Sequence, residues 1–378
     1  MKLVIYGAKS LALGVHFALK YLYPEYPVQC FLVTSKKNNP ATLAGLPVKE
    51  VEAFFQEEKG EDVHVLVGTP EDVHLQIIEQ LKKYNFLQYT CIDSRREVRL
   101  MERYFEKIGK FPSFHALTHF SEGNKVNLQI FMVKFYKDRK LTKAYKSPAW
   151  CRAIQVGAAL TKERVAEITD AAGENISVKN VNYCELTALY WIWKNKLSDV
   201  EASPFLVKVQ KQQDVHASQV LYKAEYYGMF HYRRILDIRE DELESFNENS
   251  VDVLLPFPML HEPDILEHHR RYLKEEDWEA MMRALWELQP DYAAASKEIF
   301  GQEYFYNYNL IVAKRQVLCD YCAWLFPILE RIEELSNPKG WERADRYIGY
   351  LGENLLTLYF FYHQNDLKIY HTGRIMLT

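Results

Sequence analysis

The first hundred residues alternate short apolar runs with stretches of helical period. Residues 2–6, 28–33, 63–68 and 89–93 are brief and dominated by aliphatic and aromatic side chains, which predicts strands. Between them, residues 11–23 and 71–84 predict helices. In the second, Val73, Ile77, Ile78 and Leu81 recur close to every 3.6 residues. Strands alternating with helices imply a parallel sheet. From Lys107 to Lys125 the periodicity fades, and Gly109, Pro112, Ser121 and Gly123 predict a connector. The pattern then resumes. Strands are predicted at 128–135, at 219–231, at 251–255 and at 309–313, and helices at 182–194, 264–288, 316–335 and 345–362. The expected organisation is a Rossmann-like parallel-sheet domain over 1–106, a connector over 107–125 and a second α/β domain over 126–378. No internal repeat or low-complexity tract interrupts it.

A length of 378 residues suits two domains. The hydrophobic fraction of 48% and charged fraction of 26% are those of a soluble globular chain. A formal charge of −4 argues against a nucleic-acid partner, which calls for a basic stripe, while leaving room for a local basic pocket. The opening apolar run is too short for a signal peptide, and no stretch reaches the ~20 apolar residues of a membrane span. Six scattered cysteines show no disulfide framework, so a cytoplasmic setting is expected. Aromatic residues make up 14% and crowd the C-terminal two-thirds. Such rings suit sugar C–H faces; filling the core is their other use.

The turn after the first strand, Gly7-Ala8-Lys9-Ser10, has Lys9 where a dinucleotide fingerprint needs glycine. Thr34-Ser35-Lys36-Lys37 stands where an acid should hold the ribose. A Rossmann-like domain without catalytic NAD is the expectation. An oxidoreductase is the weaker alternative. Three other motifs are discounted. Cys319-x-x-Cys322 lies in an apolar helical stretch without a second pair and reads as packing. His261, Glu262, Asp264, His268 and His269 match no metal spacing and read as a solvated helix start, with ligand or acceptor binding as the alternative. Lys274 through Asp277 reads as a solvated face.

Three stretches invite a functional reading. Gln155 and Gly157, followed by Asp170 and Asn175, put polar residues after a strand, where α/β ligand sites form. Lys179, Tyr183 and Glu185 belong to a strongly apolar helical segment, in which a carboxylate needs a partner or a ligand. His231, Tyr232, Arg233 and Arg234 end a strand with an imidazole and two guanidinium groups, which are bidentate donors to phosphate oxygens. Alone, an arginine pair is ordinary surface.

These stretches, with 252–256, Asn309, 321–329 and 346–356 around Gly349-Tyr350-Leu351-Gly352-Glu353, make the C-terminal ~250 residues resemble a family of capsular- and exopolysaccharide glycosyltransferases first catalogued as domain of unknown function 4422. Residues 1 to about 120 lie outside the resemblance. It implies a GT-A-like fold and transfer of a sugar from a nucleotide donor, UDP-galactofuranose or another UDP-hexose, to a growing glycan. It also implies a glycan or lipid-linked acceptor, and with the latter a peripheral membrane contact. One departure stands out: where the family has His-Lys after its first strand, this chain has Lys134-Phe135-Tyr136-Lys137. That substitution supports a second expectation, a catalytically silent nucleotide-sugar-binding or scaffold protein.

Metal-dependent GT-A enzymes hold a divalent ion on an Asp-x-Asp after a central strand. Here the corresponding strand ends in His231-Tyr232-Arg233-Arg234, so cationic side chains are expected to stabilise the leaving diphosphate without a metal. Asp237 or Asp241 with Mn²⁺ or Mg²⁺ is the alternative. Glu353 is the candidate general base, beside two glycines that would admit a ligand or another backbone. Gln155, Gly157, Asp170, Asn175, Lys179, Tyr183, Glu185, His231, Tyr232, Arg233, Arg234 and Asn309 are the candidate substrate-binding residues.

Overall fold

The computed structural model describes residues 1–58, 62–118, 126–198 and 224–378. The chain is a mixed α/β protein built on two large sheets. In the first, β1 (Lys2–Tyr6), α1 (Ser10–Leu22), β2 (Val28–Val33), β3 (Thr42–Leu43), β4 (Leu46–Glu50), α2 (Val51–Glu58), β5 (Val63–Val67), α3 (His74–Lys83), β6 (Gln88–Cys91) and α4 (Ser94–Ile108) follow one another. The strand order is β3-β4-β2-β1-β5-β6, parallel except for the β3–β4 pair. Alternation along β1 sends Ile5 to the α1–α4 side and Val4 and Tyr6 to the α2–α3 side. Helix α4, which the apolar pattern did not single out, has readable ends. Asp93 accepts the Arg96 amide at 2.8 Å as N-cap, and Gly109 takes the left-handed conformation that stops it, inside the segment expected to be a connector.

The second sheet gathers β7 (Leu128–Lys134), β8 (Cys151–Gln155), β9 (Ile168–Thr169), β10 (Tyr226–His231), β11 (Arg234–Leu236), β12 (Val253–Pro256), β15 (Ile311–Lys314), β16 (Ile369–Thr372) and β17 (Arg374–Met376); β13 (Met259–Leu260) and β14 (Tyr304–Phe305) form a separate ribbon. Its helices are α5 (Asn180–Tyr183), α6 (Leu186–Lys196), α7 (Ser245–Glu248), α8 (Ile265–His269), α9 (Glu275–Leu288), α10 (Pro290–Phe300), α11 (Arg315–Leu335) and α12 (Tyr347–Tyr362). The main path is β16-β12-β15-β10-β7-β8-β9, with β10 and β8 parallel to β7 and β15 antiparallel to β10. Phe131 and Val133 of β7 join the large core beneath α6, α11 and α12, while Ile130 and Met132 join the core on the other face. Rossmann-like and GT-A-like architectures follow one another, as expected. Among the described residues, no helix is long and apolar enough to cross a membrane.

Two predicted helices are broken. The one expected over 182–194 stops at Tyr183, because Cys184 has φ +50°, and restarts at Leu186. Asn180 bridges the break, its side-chain amide donating to the Cys184 carbonyl at 2.7 Å and the Thr187 hydroxyl at 3.2 Å. The one expected over 264–288 is split between α8 and α9. Residues 119–125 of the expected connector and 219–223 of the expected strand at 219–231 lie outside the described residues.

The two sheets meet through elements far apart in sequence. The Ser10 hydroxyl lies 2.9 Å from His261 Nδ1, Arg233 pairs with Asp72 at 2.7 Å, and Arg374 with Glu97 at 3.1 Å. Phe105 of α4 stacks on Phe257, ring centroids 5.4 Å apart.

Candidate active site

In the second sheet, β7 has β8 on one side and β10 on the other. The crevice beyond the carboxyl ends of β7 and β10 is therefore the topological switch point, where open α/β sheets place ligands. Lys134 ends β7 there with Phe135 just beyond it, and His231 ends β10. The Phe135 amide donates to the Asp138 carboxylate at 2.7 Å. Burial pushes the Asp138 carboxyl up to about 6 against the pull of that amide and of Lys134, Arg233 and Arg346. Arg346 stands in the left-handed region just before α12, its Nε 3.2 Å from Cys184 Sγ.

A buried polar cluster joins this crevice. Glu185, at the start of α6, accepts from the Asn309 side-chain amide at 2.7 Å and lies 3.9 Å from His231 Nε2. Asn309 also donates to the Gly349 carbonyl at 3.3 Å. Burial is the main influence on His231 and holds its imidazole below the usual histidine range. Glu353 of α12 is partly buried beside them. Its carboxyl is pushed up to about 8, first by burial and then by the like charge of Glu185; the Tyr308 backbone, Arg234 and Arg346 pull the other way. Gly352 explains how α12 comes so near: a Cβ there would stand 2.6 Å from Leu186 Cδ1. The glycines around Glu353 thus admit the α5–α6 segment, because Gly349 likewise faces Cys184.

Glu353 and Arg234 also line a cavity of about 910 Å³ between the two sheets. Its far wall is the carboxyl end of the first sheet, with Gly7, Ser10, Thr34 and Gly68. Tyr308 and Tyr350 line its near wall, and Arg234 lies over the Tyr308 ring at 4.2 Å. The size suits a drug-sized or sugar-nucleotide-sized ligand.

Glu185, His231, Arg234, Asn309 and Glu353 are thereby brought together, and other sequence candidates are not. Gln155 holds its own loop, donating to the Glu163 carbonyl and accepting the Val165 amide. Asp170 is fully buried and accepts from the Gly157 and Ala158 amides and the Ser177 hydroxyl, while Asn175 closes an exposed turn with Ala171 and Gly173. Lys179 and Tyr183 converge on Glu333 at 2.5 and 3.2 Å. Tyr232 and Arg233 form the two-residue turn between β10 and β11. The paired-guanidinium reading needs correction: Arg233 is bound to Asp72 of the first sheet, and Arg234 turns to Tyr308.

The histidine segment is also corrected. His261, His268 and His269 are buried, and His261 and His268 line the interdomain cavity with ring centroids 3.4 Å apart. Of the solvated helix start only the helix start stands: α8 begins here, with Asp264 as its N-cap accepting the Glu267 amide. Asp277 likewise leaves its expected solvated face, buried in a bidentate pair with Arg343 at 2.7 Å. Cys319 and Cys322 are buried within α11. Neither Asp138 nor Arg346 was among the candidate site residues. An acid just beyond the first strand of a sheet was the available signal for Asp138.

The GT-A architecture raises the question of a divalent ion. Among the described residues no three His, Cys, Asp or Glu side chains converge to hold a metal. Asp237 stands 3.9 Å from His115, and neither Asp237 nor Asp241 lines the cavity.

No curated protein matches the sequence. A solved structure described as an apo form of WbbM, a bifunctional glycosyltransferase, superposes with a TM-score of 0.51 at 25% identity over 67% of this chain. The match spans 45% of that protein's length. The family described as domain of unknown function DUF4422 matches residues 132–205 and 217–365, which takes in β8, the α5–α6 break, the end of β10, Asn309 and Glu353. Carrying that match over more than half its length, the chain belongs to the DUF4422 family.

Proposed function

We propose that this chain is a glycosyltransferase that moves a hexosyl group from a UDP-sugar to a glycan acceptor, with Glu353 as general base. The observation that carries the reading is a carboxyl held at about 8 where the switch-point crevice meets the interdomain cavity. A base is most effective with a pKa near the working pH. The likeness to WbbM supports the reaction class. In the step, an acceptor hydroxyl gives its proton to the Glu353 carboxylate while its oxygen bonds to the donor's anomeric carbon. The bond from that carbon to the diphosphate oxygen breaks, and its electron pair leaves on UDP. Lys134 and Arg346 at the crevice supply positive charge for that leaving group, as preorganised cations do elsewhere. Galactofuranose is the first donor to test, and a capsular or exopolysaccharide glycan the first acceptor class.

The reading is tested by UDP release from a panel of UDP-sugars with glycan acceptors, with EDTA and then Mn²⁺ added. Turnover that survives EDTA supports cationic stabilisation; loss restored by Mn²⁺ overturns the metal-free step. Phe135 at the family's histidine position favours one second reading, a chain that binds UDP-sugars without turnover. Tight UDP binding with no release across the panel would select it.

A further inference from the structure

The N-terminal sheet has a switch point of its own. Its order places β2 on one side of β1 and β5 on the other, so its ligand crevice opens beyond Tyr6 and Val67. Two glycines make that opening tight: Gly7 has φ +124°, and a Cβ on it would stand 2.6 Å from the Gly68 carbonyl oxygen. The chain then enters α1, of 13 residues, whose N-cap Lys9 makes no side-chain capping bond. Amides at such a helix start are ready donors to an anion.

A second observation comes from the opposite domain. Ser10 of that first turn is bonded to His261, which lies against His268. His268 is 6% exposed, lines the same cavity, and its Nδ1 has no hydrogen-bond partner. Arg374, also on the cavity wall, spends one Nη on Glu97 and leaves the other buried without a partner. Lys9 and Lys37 line the cavity too and pair with no carboxylate among the described residues. Of the wall's acids, Glu71 accepts the Ser94 amide and Glu97 holds Arg374. Unpartnered polar groups and the two lysines therefore line the cavity into which the start of α1 opens, and the Glu353 carboxyl lines the same cavity.

We propose that the interdomain cavity is the acceptor site, and that the N-terminal domain seats a phosphate or diphosphate group of the acceptor on the first turn of α1. The assignment of this ligand as acceptor rests on the glycosyltransferase reading; the anion site itself does not. The chemistry is a glycosyl phosphate or diphosphate, from either a water-soluble or a lipid-linked source. It gives the Rossmann-like domain a task that does not involve NAD.

The test is calorimetric titration of the full chain with inorganic pyrophosphate in the presence of saturating UDP, which occupies the donor crevice. Wild type is expected to bind pyrophosphate. Lys9→Glu, an exposed position, is expected to weaken that binding by about tenfold or more and to leave UDP affinity unchanged. The unchanged UDP affinity reports that the variant is folded, and Lys37→Glu gives an independent loss. Farnesyl diphosphate distinguishes the sources: binding at least about tenfold tighter than pyrophosphate marks a lipid-linked ligand, and equal or weaker binding marks a soluble one. Absence of pyrophosphate binding, full competition by UDP, or wild-type affinity in both lysine variants would overturn the site. Pyrophosphate binding without sugar transfer from any donor leaves the anion site standing and removes the transferase reading. Transfer without pyrophosphate binding does the reverse.

Discussion

Replacing Glu185 with glutamine should shift the pH dependence of catalysis without touching the base itself. Glu185 is the second cause, after burial, of the rise of the Glu353 carboxyl to about 8. The glutamine side chain would keep an oxygen for the Asn309 amide that now donates at 2.7 Å, so the local packing is retained while the charge goes. Removing a like charge at this range should lower the Glu353 pKa by about one unit, leaving the burial contribution in place. At about pH 7 the ionised fraction of Glu353 then rises from roughly a tenth to roughly a half, a gain of about fivefold in competent base. The assay is UDP release at low donor concentration from about pH 5.5 to about pH 9.5. A base must be deprotonated, so activity falls as pH drops through its pKa. The wild-type acid limb is expected at about 8 and the variant's at about 7. An unmoved limb in Glu185→Gln, or the same limb surviving in Glu353→Gln, would refute the coupling.

Two further outcomes concern stability. Glu353→Gln should raise the melting temperature by roughly 2–5 °C at about pH 9 and leave it unchanged at about pH 4. The native carboxyl keeps its proton longer than the unfolded one, so its cost grows as pH climbs from 4.5 to about 8 and is absent below that window. Arg343→Ala should cost about 3–5 kcal/mol in denaturant unfolding, because it strands Asp277, whose side chain is 2% exposed. A loss under about 1 kcal/mol would show that water or another cation reaches Asp277.

Local chemistry was legible in the sequence, and long-range juxtaposition was not. Strands β1, β2, β5 and β7 follow from apolar runs, and α11 and α12 from their period. The break at Cys184 could not be read, because nothing local marks a cysteine for positive φ; it serves the packing of Gly349 and Gly352 against Cys184 and Leu186. The histidines at 261 and 268 look solvated in a polar, charged stretch. They are buried in the assembled fold, where Ser10, 251 residues away, bonds His261, and His268 packs against His261 and Phe305. Arg233 looks like a phosphate ligand from its strand-end position, yet Asp72 of the other sheet holds it. Glu353 was reached through the family motif in its helix; its raised pKa depends on Glu185 and on burial that only the assembled fold supplies.

The most direct measurement is the rate of UDP release from UDP-sugars by wild type and Glu353→Gln, each with its UDP affinity determined. The account predicts turnover by wild type, a loss of about 10²–10⁴-fold in the variant, and UDP binding retained in both. A near-normal rate in Glu353→Gln would contradict the assignment of the base, and no wild-type turnover across the donor panel would contradict the transferase itself.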